Sequence, residues 1–373
     1  MSAATDERER LIALAGVASA RVMLDADRHS TVIGAPVRIQ RLRLKPGTSL
    51  VCGWRREDGR FGWSANWADP AKAANAVRRA ARVGAGVHRG PGGMLWGELV
   101  SDPALSRRLA RAQALAHGAL APSEVLRHNP LRRAVLHDAA GGRVWRVSAS
   151  EAGPLAATAA GWGGAGIPVL PVTQLSPGIS WSPWWGDGDL QRHPSPGAAA
   201  AVGAAIALVH ALPATGGSQD AGLDRLIASI ERMVPWQRGR LGALTASLAA
   251  ALAAAGARDG RVVPVHGDLS PDQVLLDGDR IRLIDLDRAG LSAPMRDLGS
   301  WVAACRASAR PELIDPFLDG YRERAPIDAA ALAAWEARAH LAGALEPLRR
   351  WQPDWVAGVC RSLAAAEEAL ARC

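Results

Sequence analysis

A chain of 373 residues, 49% of them hydrophobic, has room for two or three packed units and enough apolar side chains to give each a core. Its net charge is +8, but the basic residues are almost all arginine, interleaved with acids and lacking clustered stacking aromatics; this argues against a nucleic-acid partner, although an anionic small molecule would be welcome electrostatically. Four cysteines (Cys52, Cys305, Cys360 and Cys373) stand far apart with no C-x-x-C, which excludes a disulfide framework and a zinc site.

Residues 6–22 read as an amphipathic helix, and residues 1–30 lack the apolar core of a signal peptide. Three β-rich runs follow, Val37 to Leu44, Ser49 to Trp54 and Arg60 to Trp67, broken by Pro46-Gly47 and Asp58-Gly59 as hairpins require. Helices are expected at 70–83 and 103–118, on either side of a Gly/Pro-rich break at 84–93. The strand pattern then returns: Leu126-Arg127-x-x-Pro130-x-x-x-x-Val135 echoes Leu42-Arg43-x-x-Pro46-x-x-x-x-Val51. Two similar β-meanders result, by duplication or by recurring hairpin grammar. A helix over 151–164 leads to strands over 167–175 and 179–185, and Gly186-Asp187-Gly188-Asp189 breaks the chain. Beyond it the pattern is helical (197–212, 222–234, 238–257, 295–309, 311–324, 328–347 and 353–371), interrupted by short strands within 261–287. No run of eighteen apolar residues occurs, and the Ala-rich stretch 243–256 is too short to span a bilayer. The expectation is a cytoplasmic protein with no membrane partner.

The chemistry concentrates in those short strands. Val263-Pro264-Val265 leads into His266-Gly267-Asp268, Gln273 follows five residues after the aspartate, and a third apolar run ends in Asp285-Leu286-Asp287. A loop carboxylate that orients a hydroxyl, followed by hard oxygen ligands for Mg²⁺ on the next turn, is the equipment of phosphoryl transfer from ATP. Protein kinases arrange it as H-R-D-x-x-x-x-N followed by D-F-G. Asp268 is therefore the candidate catalytic base and Asp285 the candidate Mg²⁺ ligand. Asp287, two residues on, would point the same way in an extended segment and serve a second metal or the substrate, or else face solvent.

These residues resemble the aminoglycoside phosphotransferase family, small-molecule kinases related in fold to protein kinases. The family's loop is H-G-D-[LF]-x-x-x-N followed by [IL]-D-[FW]-[DE], and the similarity covers about residues 165–365. It implies an α+β, two-lobed kinase-like fold: a β-rich N-lobe at 121–186, a mainly helical C-lobe at 187–373, and an N-terminal extension at 1–120. Gln273 stands where the family has an asparagine metal ligand and offers the same amide oxygen on a longer arm. His266 braces the loop. Asp297 matches the family's helix-start aspartate, which bonds back to the loop, although N-capping would also explain it.

A kinase N-lobe places a phosphate-gripping lysine on its third strand. The only lysines here, Lys45 and Lys72, fall elsewhere, and the matching strand Arg143-Val144-Trp145-Arg146-Val147-Ser148 puts Arg146 at that place. Arg133, with Arg132 in the adjoining hairpin, would assist; edge-strand arginines facing water are the alternative. Trp184 and Trp185, at the break between lobes, would flank the adenine or simply pack there. Glu312, Asp315, Asp319 and Glu336 would greet a cationic acceptor, or face water. The resemblance implies ATP as co-substrate, Mg²⁺ as cofactor and a hydroxyl-bearing acceptor such as an aminoglycoside, another antibiotic, a sugar or an amino alcohol. A degenerate kinase that binds a nucleotide or a partner without turnover is the alternative.

Overall fold

The computed structural model describes residues 3–118, 120, 125–150, 155–214, 216–217 and 222–373. The start of the helix expected at 151–164 and the boundary placed at residue 121 lie outside them. The chain divides into two compact units. One comprises Met1–Ala152, Thr173–Trp184 and Glu346–Ala357; the other comprises Gly153–Val172, Trp185–Leu345 and Gly358–Cys373. The extension and the β-rich segment after it thus form one unit. Residues 153–172 join the helical unit, and a short C-terminal segment returns to the first.

The first unit holds two five-stranded antiparallel sheets. In the first sheet β1 (Val37–Lys45), β2 (Ser49–Arg56), β3 (Phe61–Trp67), β4 (His88–Arg89) and β5 (Leu95–Glu98) run in the order β1-β2-β3-β5-β4. In the second, β6 (Val125–Asn129), β7 (Arg133–Asp138), β8 (Arg143–Ser148), β9 (Thr173–Ser176) and β10 (Ile179–Pro183) run in the order β6-β7-β8-β10-β9. In both, a helix follows the third strand in sequence: α4 (Pro70–Ala81) in the first and α6 (Leu155–Gly164) in the second. The short sequence echo therefore marks two whole sheets of one topology. Strands β4 and β5 lie in and just after the stretch read as a Gly/Pro break, because two- and four-residue strands carry too little alternation to be seen.

Local chemistry sets the helices of this unit. The helix expected at 6–22 is two, α1 (Ala3–Ala15) and α2 (Ala20–Met23), divided at Gly16, whose φ of 60° no helix accommodates. A third, α3 (Ala26–Ile33), is capped by the Asp25 carboxylate, which accepts from Arg28 N at 3.1 Å, and ends at left-handed Gly34. Helix α5 (Ser106–Leu115) lays Leu109 and Ala112 on Trp145, Val147, Ala134 and Leu136 of the second sheet. Burying a side chain of leucine size in this way contributes about 1.5–3 kcal/mol. In the C-terminal return, Glu346 of α13 (Glu346–Arg349) meets Arg41 of β1 at 2.8 Å.

The second unit is mainly helical: α7 (Pro196–His210), α8 (Leu223–Met233), α9 (Arg238–Arg258), α10 (Met295–Ala307), α11 (Ile314–Arg322), α12 (Ala329–Gly343) and α14 (Trp355–Leu370). Ser195 caps α7 by accepting from Ala198 N at 3.2 Å, and Asp328 caps α12 through Ala331 N at 2.9 Å. The Ala-rich helix exceeds the length expected of it: with the turn before it, Pro235–Arg258 spans 24 residues, and its most apolar 18-residue stretch has a mean hydropathy of 1.4, enough by length and composition to cross a bilayer. It packs on α8 and α12 and ties Arg240 to Glu367 and Arg258 to Asp328 through ion pairs. Residues 167–172, expected as a strand, are extended but pair only through Val169 with Leu283. After β11 (Gly188–Asp189), which pairs with β13, four short strands carry the motif: β12 (Val263–Val265), β13 (Val274–Asp277), β14 (Arg280–Leu283) and β15 (Gly290–Ser292).

Candidate active site

β12 pairs antiparallel with β15, and β13 with β14, so the loop 266–273 and the turn 284–289 both leave clasped strands. The Ile284 peptide is gripped at both ends. Its N–H donates to the Gln273 carbonyl at 3.0 Å, and its carbonyl accepts from His266 Nε2 at 2.9 Å. Asp285 comes next, in left-handed backbone at φ 59° and ψ 50°. That conformation costs a non-glycine residue about 1–2 kcal/mol, least for Asp and Asn, and persists where the surroundings over-determine it. Gly267 is obligatory for a related reason: its φ is 79°, and a Cβ there would collide with the Arg288 carbonyl. The arginine that protein kinases carry at this place would not fit.

Asp297 holds the loop from behind. It is fully buried in the first turn of α10, where its Oδ2 accepts from His266 N at 2.7 Å and its Oδ1 from Gly267 N at 2.8 Å. It caps the loop and not its own helix, which begins at Met295. His210, at the end of α7, donates Nε2–H to Asp297 at 3.3 Å, and the Tyr321 hydroxyl lies 3.0 Å from its Nδ1. Burial opposes the Asp297 charge, but the bond from His210 and the loop amide of Gly267 outweigh it, and its pKa lies below the ordinary value.

Asp268 is half-buried, with Oδ1 2.9 Å from Arg288 Nη1. Desolvation raises its pKa above the ordinary carboxylate value; Asp285 and Asp272 push the same way, and Arg288 and His266 partly offset them. Asp285 follows Ile284, whose N–H is bonded to the Gln273 backbone, so a carboxylate and an amide oxygen stand on joined segments; Mg²⁺ needs few protein ligands when phosphates complete its shell. Among the described residues no group of three or more His, Cys, Asp or Glu forms a fuller cage.

The turn corrects one expectation. Asp285 is left-handed and Leu286–Arg288 form a 3-10 turn, so Asp285 and Asp287 do not share a face of an extended segment. The acids expected to greet a cation are partly committed as well. Glu336 is buried between Arg306, Arg372 and His340, and Asp319 pairs with Arg322 at 2.7 Å.

His266, Asp268, Gln273, Asp285, Asp287 and Trp185 belong to the second unit; Arg133, Arg146 and Trp184 belong to the first. Arg146 faces Val135 of β7 and Ser180 of β10. The same register in the first sheet sets Ala65 opposite Val51, and Ala65 is buried with Val51, Trp63 and Leu95 beneath Ala76 of α4. At the equivalent place, then, the first sheet carries no phosphate-gripping side chain. Trp184 lies 4.1 Å from the His137 ring, and Trp185 is flanked by the guanidiniums of Arg280 and Arg282. Sequence reading missed Arg288, His210 and Tyr321. Arg288 stands beside the motif and was visible, whereas the other two are single residues on distant helices.

Residues 131–341, more than half of the chain, match the profile of the phosphotransferase enzyme family. No curated protein matches. Among solved structures, a choline/ethanolamine kinase family protein from Mesorhizobium loti is 19% identical with a TM-score of 0.53, over 71% of this chain and 94% of that one. A spectinomycin phosphotransferase in complex with ADP and spectinomycin is 12% identical with a TM-score of 0.51, over 70% of this chain and 98% of that one. A thermostable aminoglycoside phosphotransferase mutant in ternary complex with AMP-PNP and hygromycin B is 17% identical with a TM-score of 0.51, over 71% of this chain and 98% of that one. At these identities the likeness concerns the fold, which is α+β and protein-kinase-like.

Proposed function

Because the chain belongs to the phosphotransferase enzyme family, we propose that it transfers the γ-phosphoryl group of ATP to a hydroxyl of a small molecule. The observation that carries this reading is the locking together, through His266, Gln273 and Asp297, of the two segments on which Asp268 and Asp285 stand.

Asp268 orients the acceptor hydroxyl and takes its proton late in the transfer. Arg288 steadies the carboxylate and keeps it ionised against desolvation. Asp285 and Gln273 would hold Mg²⁺, which supplies charge neutralisation to the phosphates when bound. Arg146, with Arg133, would grip the phosphates, and Trp184 and Trp185 would border the base. Little covalent chemistry falls to the protein, so positioning and preorganised charge provide the rate. The acceptor class is an aminoglycoside, another antibiotic, a sugar or an amino alcohol. The solved relatives with spectinomycin and hygromycin B, and the choline/ethanolamine kinase family protein, support that range.

The test is transfer from labelled ATP across an acceptor panel with Mg²⁺, alongside Asp268→Ala. Product with the parent chain and none with the variant supports the proposal. A second reading, nucleotide binding without turnover, is favoured by the departures at Arg146 and Gln273; it predicts a Mg-ATP thermal shift with no product on any acceptor.

A further inference from the structure

The strand clasp fixes the backbone of Arg288 beside the catalytic loop. β12 and β15 pair Val265 with Gly290, and the same antiparallel register continued sets Gly267 opposite Arg288. The approach is close: a Cβ on Gly267 would lie 2.2 Å from the Arg288 carbonyl. The 3-10 turn Leu286–Arg288 ends there, closed by Ala289 N donating to the Leu286 carbonyl at 3.1 Å and anchored by the buried Leu286 side chain. The turn thus delivers the Arg288 side chain to Asp268, the residue after Gly267. Nη1 donates to Asp268 Oδ1 at 2.9 Å, yet the Arg288 side chain is 62% exposed, against 45% for Asp268. A guanidinium carries several N–H donors in a planar fork, and a bond to one carboxylate oxygen occupies one of them.

That surplus matters because the second unit has no lysine; Lys45 and Lys72 both lie in the first. Where the transferred group must sit follows from the role of Asp268. The acceptor hydroxyl lies within about 2.6–3.2 Å of its base, and phosphorus within about 3–3.5 Å of that hydroxyl. The γ-phosphorus is therefore no more than about 6–7 Å from the carboxylate, whatever the acceptor. A fork already bonded to that carboxylate is within reach of the phosphoryl oxygens. We propose that Arg288 is a catalytic residue: its guanidinium bridges Asp268 and the phosphoryl group in flight, as an arginine finger supplied in cis. This rests on the ATP-dependent reading above. As the acceptor oxygen bonds to phosphorus, the bond from phosphorus to the β–γ bridging oxygen breaks, and its electron pair leaves on ADP. Asp268 takes the hydroxyl proton and passes it to water. Arg288 stays charged and gives up no proton; it holds the charge spread over the equatorial oxygens.

Steadying the base and gripping the phosphoryl group separate with pH. If Arg288 only keeps Asp268 ionised, Arg288→Ala regains the parental kcat once pH is well above the acid limb. If it grips the phosphoryl group, a loss independent of pH remains on that plateau. The expected plateau kcat is about 10²–10³ lower, the scale for one preorganised donor to transition-state charge. The ratio kcat/KM should fall equally, and the Kd for Mg-ATP should stay within about twofold. Guanidinium ion added to Arg288→Ala should restore part of the rate. Arg288→Lys keeps a charge beside Asp268 without the fork, so its acid limb should stay near the parent's while its plateau remains reduced. Should the alanine variant not fold, the lysine variant carries the test. Turnover is followed with Mg-ATP and a panel of spectinomycin, hygromycin B, choline and ethanolamine. A plateau equal to the parent's in either variant, or a loss confined to Mg-ATP affinity, overturns the inference and leaves the kinase reading standing. A parent chain that binds no Mg-ATP and phosphorylates none of the panel overturns both.

Discussion

Arg288 Nη1 lies 2.9 Å from Asp268 Oδ1, so the carboxylate assigned to the acceptor's proton shares its charge with a guanidinium three residues beyond Asp285. The contact links the two halves of the motif through side chains, as the Ile284 peptide does through the backbone.

Replacing Asp268 with Asn should lower kcat by about 10²–10⁴, the range for losing a general base, with little change in Mg-ATP affinity. Arg288→Ala should act on pH dependence. Arg288 lowers the Asp268 pKa, so its removal raises that pKa further, and less carboxylate is ionised on the acid side. The acid limb of the kcat/KM profile should therefore move to higher pH. An unmoved limb would show that Asp268 is not the titrating group.

How much of this was legible before the coordinates depends on the range of each signal. Asp268, Gln273 and Asp285 lie within eighteen positions of one another, and their spacing around apolar runs carries the site. The helices of the second unit could be read because apolar periodicity over ten or more residues is strong. Gly16 splitting the first helix was hidden, since one glycine within an apolar pattern is weak evidence for a break. His210 reaches Asp297 from 87 residues before it, Tyr321 reaches His210 from 111 residues after it, and no local pattern marks such a meeting. The left-handed Asp285 depends on the grip on Ile284, which is tertiary, and so the extended reading of Asp285 and Asp287 failed.

Asp297→Asn tests the brace. The carboxylate accepts from two loop amides and from His210 while fully buried, and an amide presents one oxygen to those three donors. Hydrogen bonds to a charged group contribute about 1.5–3 kcal/mol each, so a loss of a few kcal/mol in denaturant unfolding is expected, with activity falling as the loop loosens. A variant with parental stability would mean that His210 and the loop amides find other acceptors.

Arg146 decides whether an arginine does the lysine's work. Arg146→Ala should raise the KM for Mg-ATP by about tenfold or more, while Arg146→Lys, at the position where kinases keep that residue, should retain most of the affinity. Equal affinity in both variants and the parent chain would assign Arg146 to the sheet, where its Nε already lies 3.5 Å from Ser148 Oγ.

His29 should give the first unit an acid-sensitive step remote from the motif. It is fully buried, its Nε2 lies 2.7 Å from Ser64 Oγ, and its Nδ1 has no hydrogen-bond partner. A second proton would place a charge and an unmatched N–H in the core, and burial accordingly lowers its pKa from 6.5 to about 4. Because the folded value lies below the unfolded one, the unfolded chain binds the proton first. The stability tied to neutral His29 is therefore complete above pH 6.5 and is lost progressively as pH falls towards about 4, below which no more is lost. At 1.36 kcal/mol per pKa unit the loss is bounded at about 3 kcal/mol. Denaturant unfolding of the parent chain and of His29→Gln at pH 7, 6, 5 and 4.5 checks it: the parent should weaken on acidification more steeply than the variant. Parallel slopes would show that the unfolding measured does not expose His29.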